Sequence, residues 1–208
     1  MKQKFSKMNA TAEQYIKGLK EAYYNNNAQE IWEHFEKIKH GLTTADVEKL
    51  TKIYPDIPHA LISLLEYVDG TYWREYAGEE ITFYFLGSDL EEYPYYLLSS
   101  KEIIENQNIA IKSYSDYIER KYDEVEIDEK ITNKADSLKW LHFSDCMNNG
   151  GTSQLFIDFS PSEKGKIGQV VRFVHDPDEF SIIADSFEEY LKKLTDNKYN
   201  FINEDVSE

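Results

Sequence analysis

His142, Asp145 and Cys146 fall within five consecutive positions and are the residue types of a general base, its orienting acid and a nucleophile. The residues around them, Trp140-Leu141-His142-Phe143, have strand composition, and alternation along a strand sends neighbours to opposite faces. Catalytic trios usually assemble from distant segments, so Cys146 is expected as a small buried residue near a turn. Asp145, Asp158, His142 and His175 have metal-ligand chemistry, but no His-Glu-x-x-His, paired cysteines or EF-hand loop arranges them. Asp158, two residues before Ser160-Pro161, reads as a turn residue that accepts backbone hydrogen bonds. Gly150, Gly151, Gly165 and Gly168 have no phosphate-loop spacing and read as turn glycines. The expectation is a non-enzymatic chain with no cofactor and no metal.

The elements that hold these residues form an antiparallel meander. Trp140, Leu141 and Phe143 open a first strand, and Asn148-Asn149-Gly150-Gly151 supplies a reversal. Leu155, Ile157 and Phe159 alternate with Gln154, Phe156 and Asp158 in a second strand. Pro161, Gly165 and Gly168 mark the turn to a third, Gln169 to Val174. Acidic residues 175–179 are then expected to lead into a last helix, capped by Ser186 and Glu189 and docked by Phe187, Tyr190, Leu191 and Leu194.

Upstream, helical spacing of Ala12, Tyr15, Ile16, Leu19 and Tyr23, and then of Ile31, Trp32, Phe35 and Ile38, predicts an N-terminal helical pair within residues 1–40. Thr43 with Asp46 caps a third helix, and Pro58 starts a fourth that Gly70 stops. Ile81 to Leu86 has strand composition and is expected to turn at Gly87-Ser88-Asp89 toward Tyr95 to Leu98. Ser99 and Glu102 cap a long helix reaching Ile118. Residues 119–137 read as an exposed acidic loop or insertion, and 196–208 as a loose polar tail. The fold class is α+β, an antiparallel sheet (the meander plus additional strands) flanked by helices.

At 208 residues, with 16 Tyr and 11 Phe, the chain can bury a substantial core. A single cysteine excludes an intramolecular disulfide and points to a reducing cytoplasm. No signal-peptide core or membrane-length apolar run is present. The net charge of −16 is uneven: residues 1–40 hold seven Lys against five Glu, so the acid lies downstream. Between Glu66 and Glu92 eight acids face one base, Arg74. That density argues against nucleic acid and anionic membranes and for a basic protein partner. The densest run nominates Glu75, Glu79, Glu80, Asp89, Glu91 and Glu92, with Tyr93, Tyr95 and Asp145 as anchors. The tyrosines around Pro94 suit a core as well as an interface.

The meander also resembles the SUKH superfamily, of the SMI1/KNR4 group. Trp140, Leu141, Phe143, Asp145, Gly150, Gly151, Leu155, Asp158, Pro161, Gly165, Gly168 and Val170 fit its central pattern. Ser186-Phe187 with Leu191 fit its closing helix, and Gly41-Leu42-Thr43 and Ile57-Pro58 to Asp69-Gly70 fit its opening pair. The resemblance spans residues 41–195, with His142, Ile57 and Asp69 standing where Pro, Leu and Asn are usual. It implies a protein-binding module. Bacterial members act as immunity proteins that neutralise a cognate secreted toxin, often a nuclease; fungal members imply the alternative, a regulatory scaffold linked to cell-wall signalling. On the first implication, carboxylates and tyrosines on the sheet side cover the toxin's basic groove.

Overall fold

The computed structural model describes residues 8–91, 93–146 and 153–203. Helix α1 (Ala10–Asn25) starts where the Asn9 side chain accepts from the Thr11 and Ala12 N–H groups, and it buries the expected stripe from Ala12 to Tyr23. Helix α2 (Gln29–Ile38) buries Trp32, Phe35 and Ile38. Helix α3 (Thr44–Ile53) opens on the Thr43–Asp46 capping box. Helix α4 (His59–Tyr67) follows Pro58, which occupies the cap position. Gly70 then takes φ +93°, and a Cβ there would lie 2.9 Å from the Ser99 Cβ, so both the turn and the close approach require glycine.

A hairpin of β1 (Tyr72–Tyr76) and β2 (Glu79–Thr82) comes next, standing apart from the main sheet. The main sheet comprises β3 (Tyr95–Leu97), β4 (Glu126–Ile127), β5 (Trp140–Cys146), β6 (Ser153–Asp158), β7 (Gln169–Val174) and β8 (Glu179–Ala184) in the order β3-β5-β6-β7-β8-β4. Its pairs are antiparallel except β4 with β8, which is parallel. Helices α5 (Ser100–Glu105), α6 (Ile109–Ile118) and α7 (Phe187–Asp196) complete the α+β architecture. Alternation sends Leu141, Phe143, Leu155, Ile157 and Val170 toward α1, α4 and α7. The opposite face, with Trp140, Phe156, Val171, Phe173 and Phe180, packs under α6 and the short 3₁₀ turn Ala135–Ser137. The sheet is therefore covered on both sides.

Several expectations need correction. The single helix after Ser99 is two, because Asn106 and Asn108, poor helix formers, cap the end of one and the start of the next. Residues 119–137 are not all loop: Glu126–Ile127 add an edge strand. The lead-in to the last helix contains β8, whose alternating Phe180 and Ile182 pack with the α6 cluster. The tail from 197 to 203 is anchored, since Tyr199, Phe201 and Ile202 are buried. The Asn148-to-Gly151 turn and Glu92 lie outside the described residues.

The stretch from Ile81 to Leu86 departs most. Only Ile81 and Thr82 are strand, and they pair with β1; of the expected pairing with Tyr95 to Leu98, one bridge remains, Leu86 with Tyr95. Residues 83–87 run through the interior as irregular backbone, with Phe83 stacked on Phe35 at 3.9 Å between centroids. Buried carbonyls outside a ladder need other donors. Tyrosine hydroxyls supply them: Tyr23 donates to the Tyr84 carbonyl, Tyr15 to that of Phe85 and Tyr190 to that of Gly87, each at 2.7 Å. Burial holds the pKa of all three phenols well above the usual value, so they remain donors. Removing a hydroxyl orphans a carbonyl, so Tyr15→Phe and Tyr23→Phe should each lower unfolding free energy by about 1–3 kcal/mol in urea titrations. Unchanged midpoints for both variants would contradict this role.

Candidate protein-binding surface

The hairpin closes on Ala77-Gly78, both at positive φ, the two-residue turn whose twist matches flanking strands. Its register sets Arg74 opposite Ile81, Glu75 opposite Glu80 and Tyr76 opposite Glu79. The inner face carries buried Tyr76, whose hydroxyl donates to the Gly70 carbonyl at 2.9 Å, and buried Ile81. Arg74, on the same face, reaches the Asp69 carboxylate at 3.5 Å. The outer face carries Tyr72, Glu75, Glu80 and Thr82. Glu75 and Glu80 are exposed like charges placed side by side, an arrangement that costs stability. Among the described residues neither forms an ion pair.

Between Tyr72 and Arg74 the register slips, and Trp73 is the extra residue of a β-bulge. It holds φ +48° and leaves 66% of its surface exposed. A bulky side chain in the left-handed region costs about 1–3 kcal/mol, and such strain concentrates at functional positions. The indole meets Tyr72 edge-on at 5.7 Å, and Tyr72 stacks on Tyr96 at 4.2 Å, which ties the bulge to the main sheet. Trp73 was not legible as a site residue; its only sequence signal is a tryptophan next to charged residues on a short strand before Ala77-Gly78.

The sequence-nominated residues separate into two groups. Glu75, Glu79 and Glu80 share the hairpin, where Glu79 also pairs with His34 of α2 at 2.7 Å. Glu91 is exposed and Tyr93 half-buried on the loop before β3. Asp89 is occupied: its carboxylate takes Nε and Nη2 of Arg172 at 2.7 and 3.1 Å, and Glu179 takes Nη2 at 2.9 Å. The Arg172 side chain is only 4% exposed in the middle of β7; burial alone would lower its pKa, and the two carboxylates raise it. Asp89 thus fastens its loop to the sheet. Tyr95 is fully buried, with its hydroxyl 2.6 Å from that of Ser153 and its pKa raised by burial to about 12, and no partner can reach it.

Asp145 is mostly buried inside a network. A bulge between His142 and Ser144 sets two residues of β5 against Leu155, which turns Asp145 onto the face of His142 and Gln154. There it accepts from His142 Nε2 and Gln154 Nε2, both at 2.9 Å, and from the Tyr96 hydroxyl at 3.2 Å. Asn106 lies 3.1 Å from His142 Nδ1. Cys146 packs in the opposite cluster with Leu141 and Phe143, so the trio that suggested nucleophilic chemistry is split across the sheet. Asp158 accepts from the Ser160 N–H at 2.7 Å, as a turn residue does. No group of three metal-ligating side chains occurs among the described residues, and no helix among them is long and apolar enough to cross a membrane.

The hairpin and the sheet it leans on fall inside a segment with known relatives. A family model described as the SMI1 / KNR4 family (SUKH-1) matches residues 41–193, so the chain belongs to that family. No curated protein matches the sequence. The match includes the hairpin, the meander and α7, and leaves α1 and α2 outside it.

Burial alone would raise the Asp145 pKa, but its bonds to His142, Gln154 and Tyr96 hold it below the ordinary carboxylate value. A depressed folded pKa contributes stability above the unfolded value, near pH 4, that is lost as pH falls through the folded value. Asp145→Asn should therefore cost about 1–3 kcal/mol at pH 7 and flatten the acid limb of the stability curve. An acid limb identical to that of the unaltered chain would show that Asp145 gains nothing from the network.

Proposed function

We propose that this chain is an immunity-type member of its family, a non-enzymatic protein that binds a cognate toxin domain and covers its basic substrate groove. The observation that carries the reading is the hairpin, where an exposed, strained Trp73 at the bulge is followed by Glu75, whose exposed carboxylate stands opposite that of Glu80 with no ion pair to either among the described residues. Tryptophan is the residue type most enriched among interface hot spots, and its π-face accepts a cation. Two like charges held together against their own repulsion are relieved by a positive partner. Glu79 adds a third hairpin carboxylate on the face of Tyr76, shared with His34, while Glu91 is a separate exposed acid on the loop before β3 that Asp89 and Tyr95 fasten to the main sheet. A regulatory scaffold would use the same surface on a resident partner; relief of toxicity separates the two readings.

The test is co-expression of this chain with any toxin-like domain that a neighbouring reading frame proves to encode. Growth should resume with the unaltered chain and fail with the Trp73→Ala, Glu75→Lys, Glu80→Lys variant, while Cys146→Ser retains protection. Trp73→Ala alone should weaken binding by about 2 kcal/mol, roughly thirtyfold in Kd, measured by titration calorimetry. Raising salt from about 0.05 to 0.5 M should slow association by about tenfold or more, because exposed carboxylates are screened. Growth arrest that persists with the unaltered chain, or protection kept by the triple variant, would overturn the assignment.

A further inference from the structure

The hairpin has a second open side. Strand β2 pairs with β1 along one edge, and among the described residues no strand pairs with the other. Alternate residues of an edge strand direct their N–H and C=O groups away from the partner they have, which leaves a template for one more strand. Beside that edge runs a groove of about 370 Å³, lined by Glu30, Ile31, His34 and Phe35 of α2 and by Glu80, Ile81, Thr82 and Phe83. Residues from both faces of β2, outward Glu80 and Thr82 and inward Ile81, line it, so the groove follows the strand's edge. Its floor is apolar, and Ile31 stays more than one-third exposed on it.

We propose that this groove receives an extended segment of the partner, which adds as a third strand to the free edge of β2 and alternates cationic with aliphatic side chains. The charge of the rim selects that occupant. Glu30 and Glu80 line the groove without a lysine or arginine, and His34 is already engaged by Glu79. Aliphatic side chains at every second position would meet Ile31, Phe35 and Ile81, and cations at the alternate positions would meet Glu30 and Glu80. The inference rests on the basic-partner reading and adds the backbone mode by which that partner is held.

The probe is an acetylated hexapeptide alternating arginine and valine, titrated into the full chain by nuclear magnetic resonance and amide hydrogen exchange. Two controls are the same peptide N-methylated at alternate residues, and a peptide alternating glutamate and valine. The expected result is shifted and slowed amides from Glu79 to Phe83, a loss of at least tenfold in affinity on N-methylation, no binding of the acidic peptide, and a similar loss for Ile31→Lys with its fold intact. Equal affinity of both arginine peptides, or shifts confined to Tyr72, Trp73 and Glu75, would overturn strand addition yet leave the basic-partner surface in place. Amides of β2 already protected without peptide in a dimer would assign the edge to a second copy instead. Failure of the peptide to bind at all would also overturn the inference, and the co-expression result would then decide the basic-partner reading independently.

Discussion

The structure depends on how a buried, irregular piece of backbone is satisfied. Residues 83–87 cross the interior between the hairpin and β3; the Leu86 carbonyl accepts from the Tyr95 N–H at 2.9 Å, but those of Tyr84, Phe85 and Gly87 have no ladder to join. Three tyrosine hydroxyls from α1 and α7 donate to them at 2.7 Å. Without those donors the segment would leave polar groups unpaired in an apolar core, and the chain would have to re-form it elsewhere. With them, the hairpin leaves the core at a fixed angle, and Asp89 two residues further on reaches Arg172 in the main sheet.

This arrangement gives the N-terminal helices a positional part in the surface. Helix α1 contributes two of the three hydroxyls, and α2 contributes Phe35 against Phe83 and His34 against Glu79. Both helices precede the segment that matches the family. Tyr199, from the other end of the chain, donates to the Tyr15 carbonyl at 2.9 Å and braces α1 in turn. The hairpin is therefore packed against helices that are themselves bonded to the C-terminal segment, an arrangement that would lower the ordering cost of binding a partner.

What could be read in the sequence was what is local. The capping boxes of Thr43 and Ser99, the stripes of α1 and α7, and the meander from Trp140 to Val174 each follow from spacings of a few residues. The errors come from distant partners. Ile81 to Leu86 has strand composition, but tyrosines some 60 to 100 positions away supply the hydrogen bonds that a neighbouring strand would have given. Asp89 looked like one more surface acid because Arg172 lies 83 positions downstream, and Tyr95 looked available because Ser153 and the sheet that buries it are equally remote. Strand β8 did carry an alternating signal in Phe180 and Ile182, hidden behind the acidic residues that precede it. Trp73 needed the register slip of β1, which composition does not encode.

On the proposed reading, the outer face of the hairpin, not the covered faces of the main sheet, meets a protein partner. The decisive measurement is carbodiimide labelling of carboxylates, read by mass spectrometry on the chain alone and in complex with a toxin domain from which it proves to protect cells. Complex formation should protect Glu75 and Glu80 by about tenfold or more while labelling of exposed Glu163, on the turn between β6 and β7, is unchanged. Undiminished labelling of Glu75 and Glu80 in a saturated complex would contradict it.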